Sequence, residues 1–315
     1  MDNTSNAQVP QAFFWGAERQ GLVSVIGAGT MGNGIAHVFA QAGFKVHLID
    51  VSPDQLQKSI ETIGKNFDRQ IARGVISEQE KKSAINNIAT FTEIAGGVQN
   101  ANLAIEAATE NIDLKLSIFK QMDAAAPAGC ILATNTSSIS ITKIASVTKR
   151  PGSVIGMHFM NPVPVMKLVE IINGYATSAE VTNTIIALTK YLGKTPCSVN
   201  DYPGFIANRI LMPMINEAIY SLQEGVADVE EIDTIMKLGM AHPMGPLQLA
   251  DFIGLDICLS ILKVLQEGFG NPKYAPCSLL VNMVTAGKLG IKSGEGFYMY
   301  TPGSKELIVS KRFSL

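Results

Sequence analysis

A glycine-rich hexapeptide, an acidic residue 18 positions beyond it and a His–Glu pair flanking a proline turn are where this chain of 315 residues could do chemistry. Gly27-Ala28-Gly29-Thr30-Met31-Gly32 follows the apolar run LVSVI and opens a stretch of small and apolar residues at helical spacing. In that setting the first glycine permits a tight turn and the second lets a pyrophosphate approach the backbone. The third allows close helix–strand packing, and the phosphate charge rests on the helix N-terminus. Asp50 closes the next apolar run, where a carboxylate accepts hydrogen bonds from ribose hydroxyls. Val51, Ser52 and Pro53 follow it, so no Arg is placed to pair with a 2′-phosphate. The pattern predicts a dinucleotide site, with NAD preferred over NADP. If the glycines only shaped a turn and Asp50 only capped an element, the common register of all four residues would have no explanation.

Hydride transfer also needs a group that manages a hydroxyl proton, usually a His whose tautomer a carboxylate fixes. His37 falls in the first helical stretch, His47 in the second apolar run and His242 in a turn, and all three read as structural. His158 ends the run SVIGMHF (153–159), and ligands of open parallel sheets sit at the carboxyl ends of strands. Glu170 lies twelve residues later in VMKLVEII (165–172), across the turn Asn161-Pro162-Val163-Pro164. A carboxylate in a buried run needs a partner, and the turn could bring His158 to it.

The elements that must position these residues alternate between strand and helix. Runs at 22–27, 45–50, 102–108, 130–136, 153–159, 165–172 and 197–200 read as strands. Helical patterns lie between them at 33–42, across a long stretch from about 53 to 89 with Ser77 and Glu80 as a capping box, at 113–126 and at 178–192. The alternation predicts an α/β fold with a doubly wound, Rossmann-type, mostly parallel sheet. Beyond Pro203 only helical patterns remain, at 204–224, 229–239, 246–267 and 277–288. The expected organisation is an extension over 1–20, a NAD-binding domain over 21–200 and an all-helical substrate and dimerisation domain over 201–315.

Composition narrows the partners. Apolar residues make up 47% and charged residues 17%, and 25 basic side chains face 27 acidic ones, so no basic field exists to favour nucleic acid or an anionic membrane. Cys130, Cys197, Cys258 and Cys277 form no CxxC pair and no His stands at zinc-ligand spacing, which predicts free thiols and no metal. Phe13-Phe14-Trp15 is too short for a signal peptide's apolar region, and no apolar run is long enough to span a membrane. A cytoplasmic protein with a small-molecule substrate is expected.

The motifs MHFMNPVPVMKLVEII (157–172), NTSS (135–138), PGFIANRI (203–210), HPMGPLQLADFIGLD (242–256) and KSGEGFY (292–298) resemble the L-3-hydroxyacyl-CoA dehydrogenases over about residues 21–300, most closely the short bacterial 3-hydroxybutyryl-CoA type. The resemblance implies an NAD-dependent oxidoreductase of fatty acid or butanoate metabolism acting on an acyl-CoA. It implies His158 as general base and acid, Glu170 as its carboxylate partner, Ser137 on the substrate oxygen and Asn208 as the residue orienting the substrate. It also implies that Glu110, Lys115, Asn161 and Lys292 lie against the cofactor and that the protein forms a homodimer. At two positions where some members contact CoA through Ser and Lys, this chain has Asn66 and Arg73. Arg73 can grip a phosphate bidentately, whereas Lys65, Arg69 and Arg73 together could equally be a solvated helix face. That departure leaves a free hydroxy or sugar acid such as gulonate as an alternative substrate; a non-catalytic NAD-binding structural protein is a third reading.

Overall fold

The structure, a computed structural model, describes residues 21–304 and 306–314; the extension expected over 1–20 lies outside the described residues. The chain divides into two compact units between Tyr202 and Pro203.

Unit 1 contains β1 (Leu22–Ile26), α1 (Thr30–Gln41), β2 (Lys45–Ile49), α2 (Pro53–Ala72), α3 (Glu78–Asn86), β3 (Ile88–Phe91), α4 (Ile94–Val98), β4 (Leu103–Glu106), α5 (Ile112–Ala125), β5 (Ile131–Thr134), α6 (Ile141–Ala145), β6 (Val154–Phe159), β7 (Leu168–Asn173), α7 (Ala179–Tyr191) and β8 (Thr195–Asn200). The eight strands form one sheet in the order β3-β2-β1-β4-β5-β6-β7-β8. The first six are mutually parallel, β7 pairs antiparallel with β6, and β8 runs parallel to β7. The order reverses between β1 and β4, the position where doubly wound sheets open a crevice for a ligand. Every residue of β4 and β5 is buried, as strands covered on both faces require.

The long helical stretch expected over 53–89 is corrected to two helices and the start of a strand. Gly74 takes a φ of +69° just past the end of α2. Ser77 and Glu80 then form the reciprocal capping box that starts α3. Ile88 and Ala89 belong to β3, an edge strand with both middle residues exposed, which hides it from a search for apolar runs. The run expected from 165 enters its strand only at Leu168, because the amides of Val165 and Met166 both bond to the Pro162 carbonyl in the preceding turn.

Unit 2 contains α8 (Ala207–Gln223), α9 (Val229–Thr234), a π-helical turn over Ile235–Gly239, α10 (Pro246–Ile253), α11 (Leu255–Phe269), α12 (Ser278–Thr285), β9 (Tyr298–Met299) and β10 (Ile308–Val309). The expected helix over 246–267 divides at Gly254, whose φ of +105° few side chains tolerate. The all-helical expectation is corrected by the short β9–β10 hairpin. Two buried carboxylates organise this unit. Asp251 accepts the amides of Phe297 and Tyr298 at 3.0 and 2.9 Å and the Tyr300 hydroxyl at 3.1 Å. Asp233 accepts the amides of Leu247 and Gln248 and the Tyr298 hydroxyl.

Burial pushes the Asp251 carboxyl up to about 6 against the pull of those hydrogen bonds, and the Asp233 carboxylate adds to the rise. An acid whose folded pKa exceeds its unfolded one takes up a proton on folding, so its contribution to stability falls as pH rises from about 4 to about 6 and is level above. The unfolding midpoint of the wild type relative to Asp251→Asn is therefore expected to drop across that window, by the equivalent of about 3 kcal/mol. Thermal unfolding in pH steps measures it, and a pH-independent difference contradicts it.

Candidate active site

At the carboxyl ends of β1 and β4 lies a cleft of about 690 Å³ lined by Gly27, Gly29, Asp50, Gln55, Ala107 and Ala108, among others. That volume falls within the range of about 300–1,000 Å³ common for ligand pockets. Gly27 has a φ of +101°, and a Cβ there would lie 2.7 Å from the Ala107 carbonyl oxygen. A Cβ on Gly32 would lie 1.7 Å from the Gly27 carbonyl oxygen, so the third glycine is what lets α1 close onto the turn. Gly29 differs: among the described residues, no atom outside its chain neighbours and its own helix lies within 4 Å of where its Cβ would be. It caps α1 without a side-chain hydrogen bond, so no cap side chain takes up the helix's first amides. Met31, half-buried in the first turn of α1, packs on the core. Asp50 accepts the amides of Ala28 at 2.8 Å and Ser52 at 3.0 Å, one on each oxygen. Each carboxylate oxygen has a second lone pair, so Asp50 keeps capacity for ribose hydroxyls. Gln55, which the sequence did not single out, lines the cleft and donates to the Ala28 carbonyl at 2.8 Å. The donors and the open glycine fit a dinucleotide pyrophosphate and ribose.

His158 and Glu170 face each other as register partners across the antiparallel β6–β7 pair. His158 Nδ1 lies 2.8 Å from Glu170 Oε2, with Glu170 buried and His158 half-buried. Next to a carboxylate, Nδ1 of the neutral ring carries the proton, so the basic lone pair is on Nε2. The turn between the strands is anchored twice. Lys194 donates to the carbonyls of Val163 and Met166 at 2.6 and 2.7 Å, and Val163 packs so close to Gly34 of α1 that a Cβ there would lie 2.8 Å from the valine Cβ. Asn161, exposed, begins this turn.

The NTSS segment follows β5. Asn135 Oδ1 accepts the Phe159 amide at 2.9 Å, tying the segment to the end of β6 beside His158. Glu110 Oε1 accepts the Thr136 hydroxyl at 2.5 Å, the Ser137 amide at 3.0 Å and the Ser138 hydroxyl at 3.1 Å. Burial alone would raise the Glu110 carboxyl, but the Lys115 ammonium and the bonds from Thr136 and Ser137 hold it below the usual carboxylate range. Lys115 is buried, and its three donors have three protein acceptors: Glu106 at 2.6 Å, the Ala108 carbonyl at 3.2 Å and Glu110 at 3.3 Å.

Comparisons with known proteins identify the family. Residues 22–202 match the family model described as the 3-hydroxyacyl-CoA dehydrogenase NAD binding domain, and 204–300 match that family's C-terminal domain. The chain belongs to the 3-hydroxyacyl-CoA dehydrogenase family. A probable 3-hydroxybutyryl-CoA dehydrogenase of Bacillus subtilis is 54% identical over 278 residues, spanning 88% of this chain and 96% of that protein. The human mitochondrial hydroxyacyl-coenzyme A dehydrogenase is 43% identical over 285 residues, 88% of this chain and 90% of its own. Among solved structures, the (S)-3-hydroxybutyryl-CoA dehydrogenase of Ralstonia eutropha is 50% identical with a TM-score of 0.87, covering 89% of this chain and 99% of that one. The chain is an NAD-dependent oxidoreductase of this family.

The remaining expected residues lie on α2 of unit 1 and in unit 2. Asn66, half-buried on α2, accepts a hydrogen bond from Arg69 at 3.0 Å. Arg73 is exposed at the C-cap of α2. Asn208 and Lys292 belong to unit 2, Asn208 in the first turn of α8 and Lys292 paired with Asp256 at 2.6 Å. The four cysteines are free thiols, and burial pushes Cys130 and Cys258 up to about 12, which keeps them protonated.

Proposed function

We propose that the protein interconverts L-3-hydroxyacyl-CoA and 3-oxoacyl-CoA with NAD, acting on short chains such as 3-hydroxybutyryl-CoA. The observation that carries this reading is the His158–Glu170 pair, held at the carboxyl end of β6 in the same sheet whose β1 end carries the glycine turn. The names of the similar proteins support the substrate class. In oxidation, His158 Nε2 takes the 3-hydroxyl proton; in reduction it returns one to the oxygen formed at C3. Glu170 keeps the ring in the tautomer that leaves Nε2 basic, and it stabilises the imidazolium once the proton arrives. The Ser137 hydroxyl holds the substrate oxygen and Asn208 orients the substrate. Gly27, Gly29, Gly32 and Asp50 would hold NAD, which when bound supplies the two-electron acceptor for C3. Met31, Glu110, Asn161 and Lys292 complete its surroundings, with Lys115 acting through Glu110. Asn66 and Arg73 would meet the CoA end.

Because binding energy from the non-reacting part of a substrate is used in the transition state, the thioester is expected to exceed the free acid in kcat/KM by about 10³-fold or more. Side-by-side NADH oxidation with acetoacetyl-CoA and free acetoacetate measures this. A preference for free hydroxy or oxo acids would favour the sugar-acid reading, and NADH binding without turnover a structural role.

We also infer a homodimer through unit 2, whose α8 leaves Ile206 and Ile210 48% and 66% exposed at its start. Sedimentation at micromolar concentration is expected to give a dimer, and a monomer would contradict it.

A further inference from the structure

Glu106, the last residue of β4, is fully buried, and the proton-transfer scheme above does not use it. Its Oε1 accepts the Lys115 ammonium and the Ala108 amide, both at 2.6 Å, and its Oε2 accepts the Thr134 hydroxyl at 2.7 Å. Thr134 is its register partner on the neighbouring strand β5. Lys115 then reaches Glu110 Oε2 at 3.3 Å, and the other oxygen of Glu110 gathers Thr136, Ser137 and Ser138. Carboxylate, ammonium and carboxylate thus run from the sheet interior to the loop bearing Ser137.

The order of contacts gives this chain a direction. Glu106 is fixed by two strands and a backbone amide, so it is the rigid end. A lysine stem has four rotatable bonds and its ammonium has no preferred direction, so Lys115 alone would leave Glu110 poorly located. With its ammonium pinned by Glu106 and the Ala108 carbonyl, the cation sits at one place and Glu110 is drawn to it. Glu110 in turn takes the Ser137 amide and, at 3.4 Å, approaches its hydroxyl. A carboxylate used only to stabilise the sheet would not need to end on this loop.

We propose that Glu106 is a positioning residue for the reaction: through Lys115 and Glu110 it sets where the Ser137 hydroxyl meets the substrate oxygen. This rests on the role given to Ser137 above. A misplacement of about 1 Å at a reacting centre can cost on the order of 100-fold. Glu106→Gln keeps the shape and two hydrogen-bonding atoms but removes the charge that pins Lys115.

Steady-state kinetics with acetoacetyl-CoA and NADH on the wild type, Glu106→Gln, Ser137→Ala and the double variant test the coupling. Glu106→Gln is expected to lower kcat by roughly 30-fold, with a smaller rise in KM for NADH, up to about tenfold, because Glu110 also lies against the cofactor. The double variant should be no slower than Ser137→Ala alone within about twofold, because the charge chain acts through the side chain already removed. Thr134→Val, which deletes the hydroxyl that Glu106 accepts and with it the acceptor of the Thr136 amide at 3.1 Å, should lower kcat by about fivefold with the same lack of additivity. It supplies the test if the Glu106 variant does not fold. Multiplicative losses in the double variant, or a raised KM for NADH at unchanged kcat, would overturn the inference. An inactive wild type, or Ser137→Ala at full activity, would overturn the reading of the reaction itself and this inference with it.

Discussion

His158→Gln is expected to lower kcat for acetoacetyl-CoA reduction by about 10³- to 10⁴-fold while NADH binds within about threefold of its wild-type affinity. The magnitude follows from what the ring supplies. A well-positioned general acid is worth roughly 4–5.5 kcal/mol in barrier, and here the ring is held in place by a buried carboxylate 2.8 Å away. Gln is the informative replacement because its amide can still donate to Glu170. Ala would remove the imidazole that Glu170 faces at 2.8 Å and leave a void in its place, and the resulting loss of stability would blur the kinetic result. Stopped-flow NADH oxidation and a fluorescence titration of NADH measure the two quantities separately. Full activity in the variant would remove His158 from the proton transfer.

The second large effect separates two glycines three residues apart. Gly32→Ala places a methyl 1.7 Å from the Gly27 carbonyl oxygen, a backbone atom that has no room to retreat because Gly27 itself abuts the Ala107 carbonyl. Loss of NADH binding by more than about 100-fold together with a lowered unfolding midpoint is expected, since overpacking of this kind disrupts backbone rather than a side chain. Gly29→Ala meets no atom among the described residues, so its unfolding midpoint should match the wild type. Its methyl would stand in the cleft where the pyrophosphate approaches, so NADH affinity should fall by about tenfold or more. Equal effects of the two substitutions on stability would contradict this division between a packing glycine and a binding glycine.

Much of the fold is legible in the sequence because buried parallel strands announce themselves as short apolar runs. LVSVI and LAIE are such runs, and the helices between them carry their own caps, as at Ser52, Asn111 and Ser178. The misreadings occur where that signal fades. The strand Ile88–Phe91 is an edge with exposed middle residues, and the hairpin near the C-terminus has two residues per strand. Breaks in helical patterns at Gly74 and Gly254 depend on positive φ angles that a glycine permits but does not impose.

The candidate site shows the same limit. Glu170 in VMKLVEII is an acidic residue in an apolar run, and the search for its partner leads to His158 across one turn. Glu106 in NLAIEAA carries the same signal but has no partner within one turn: its partners are Lys115 on the following helix and Thr134 on a strand 28 residues away. Only the neighbouring positions of β4 and β5 reveal that contact. Gln55 has no signal of its own, because an amide on an exposed helix start is unremarkable until the cleft is seen beside it. The resemblance names residues that touch ligands, whereas the residues that hold those in place emerge from the hydrogen-bond geometry.

The most direct test of the account is the fate of the hydride. With NADH deuterated at the transferable position and acetoacetyl-CoA as acceptor, the wild type is expected to place one deuterium at C3 of L-3-hydroxybutyryl-CoA. His158→Gln should bind the same NADH and form this product at least about 10³-fold more slowly. A product lacking deuterium at C3, or equal turnover of free acetoacetate, would contradict the assignment of this site to hydride transfer on a 3-oxoacyl thioester.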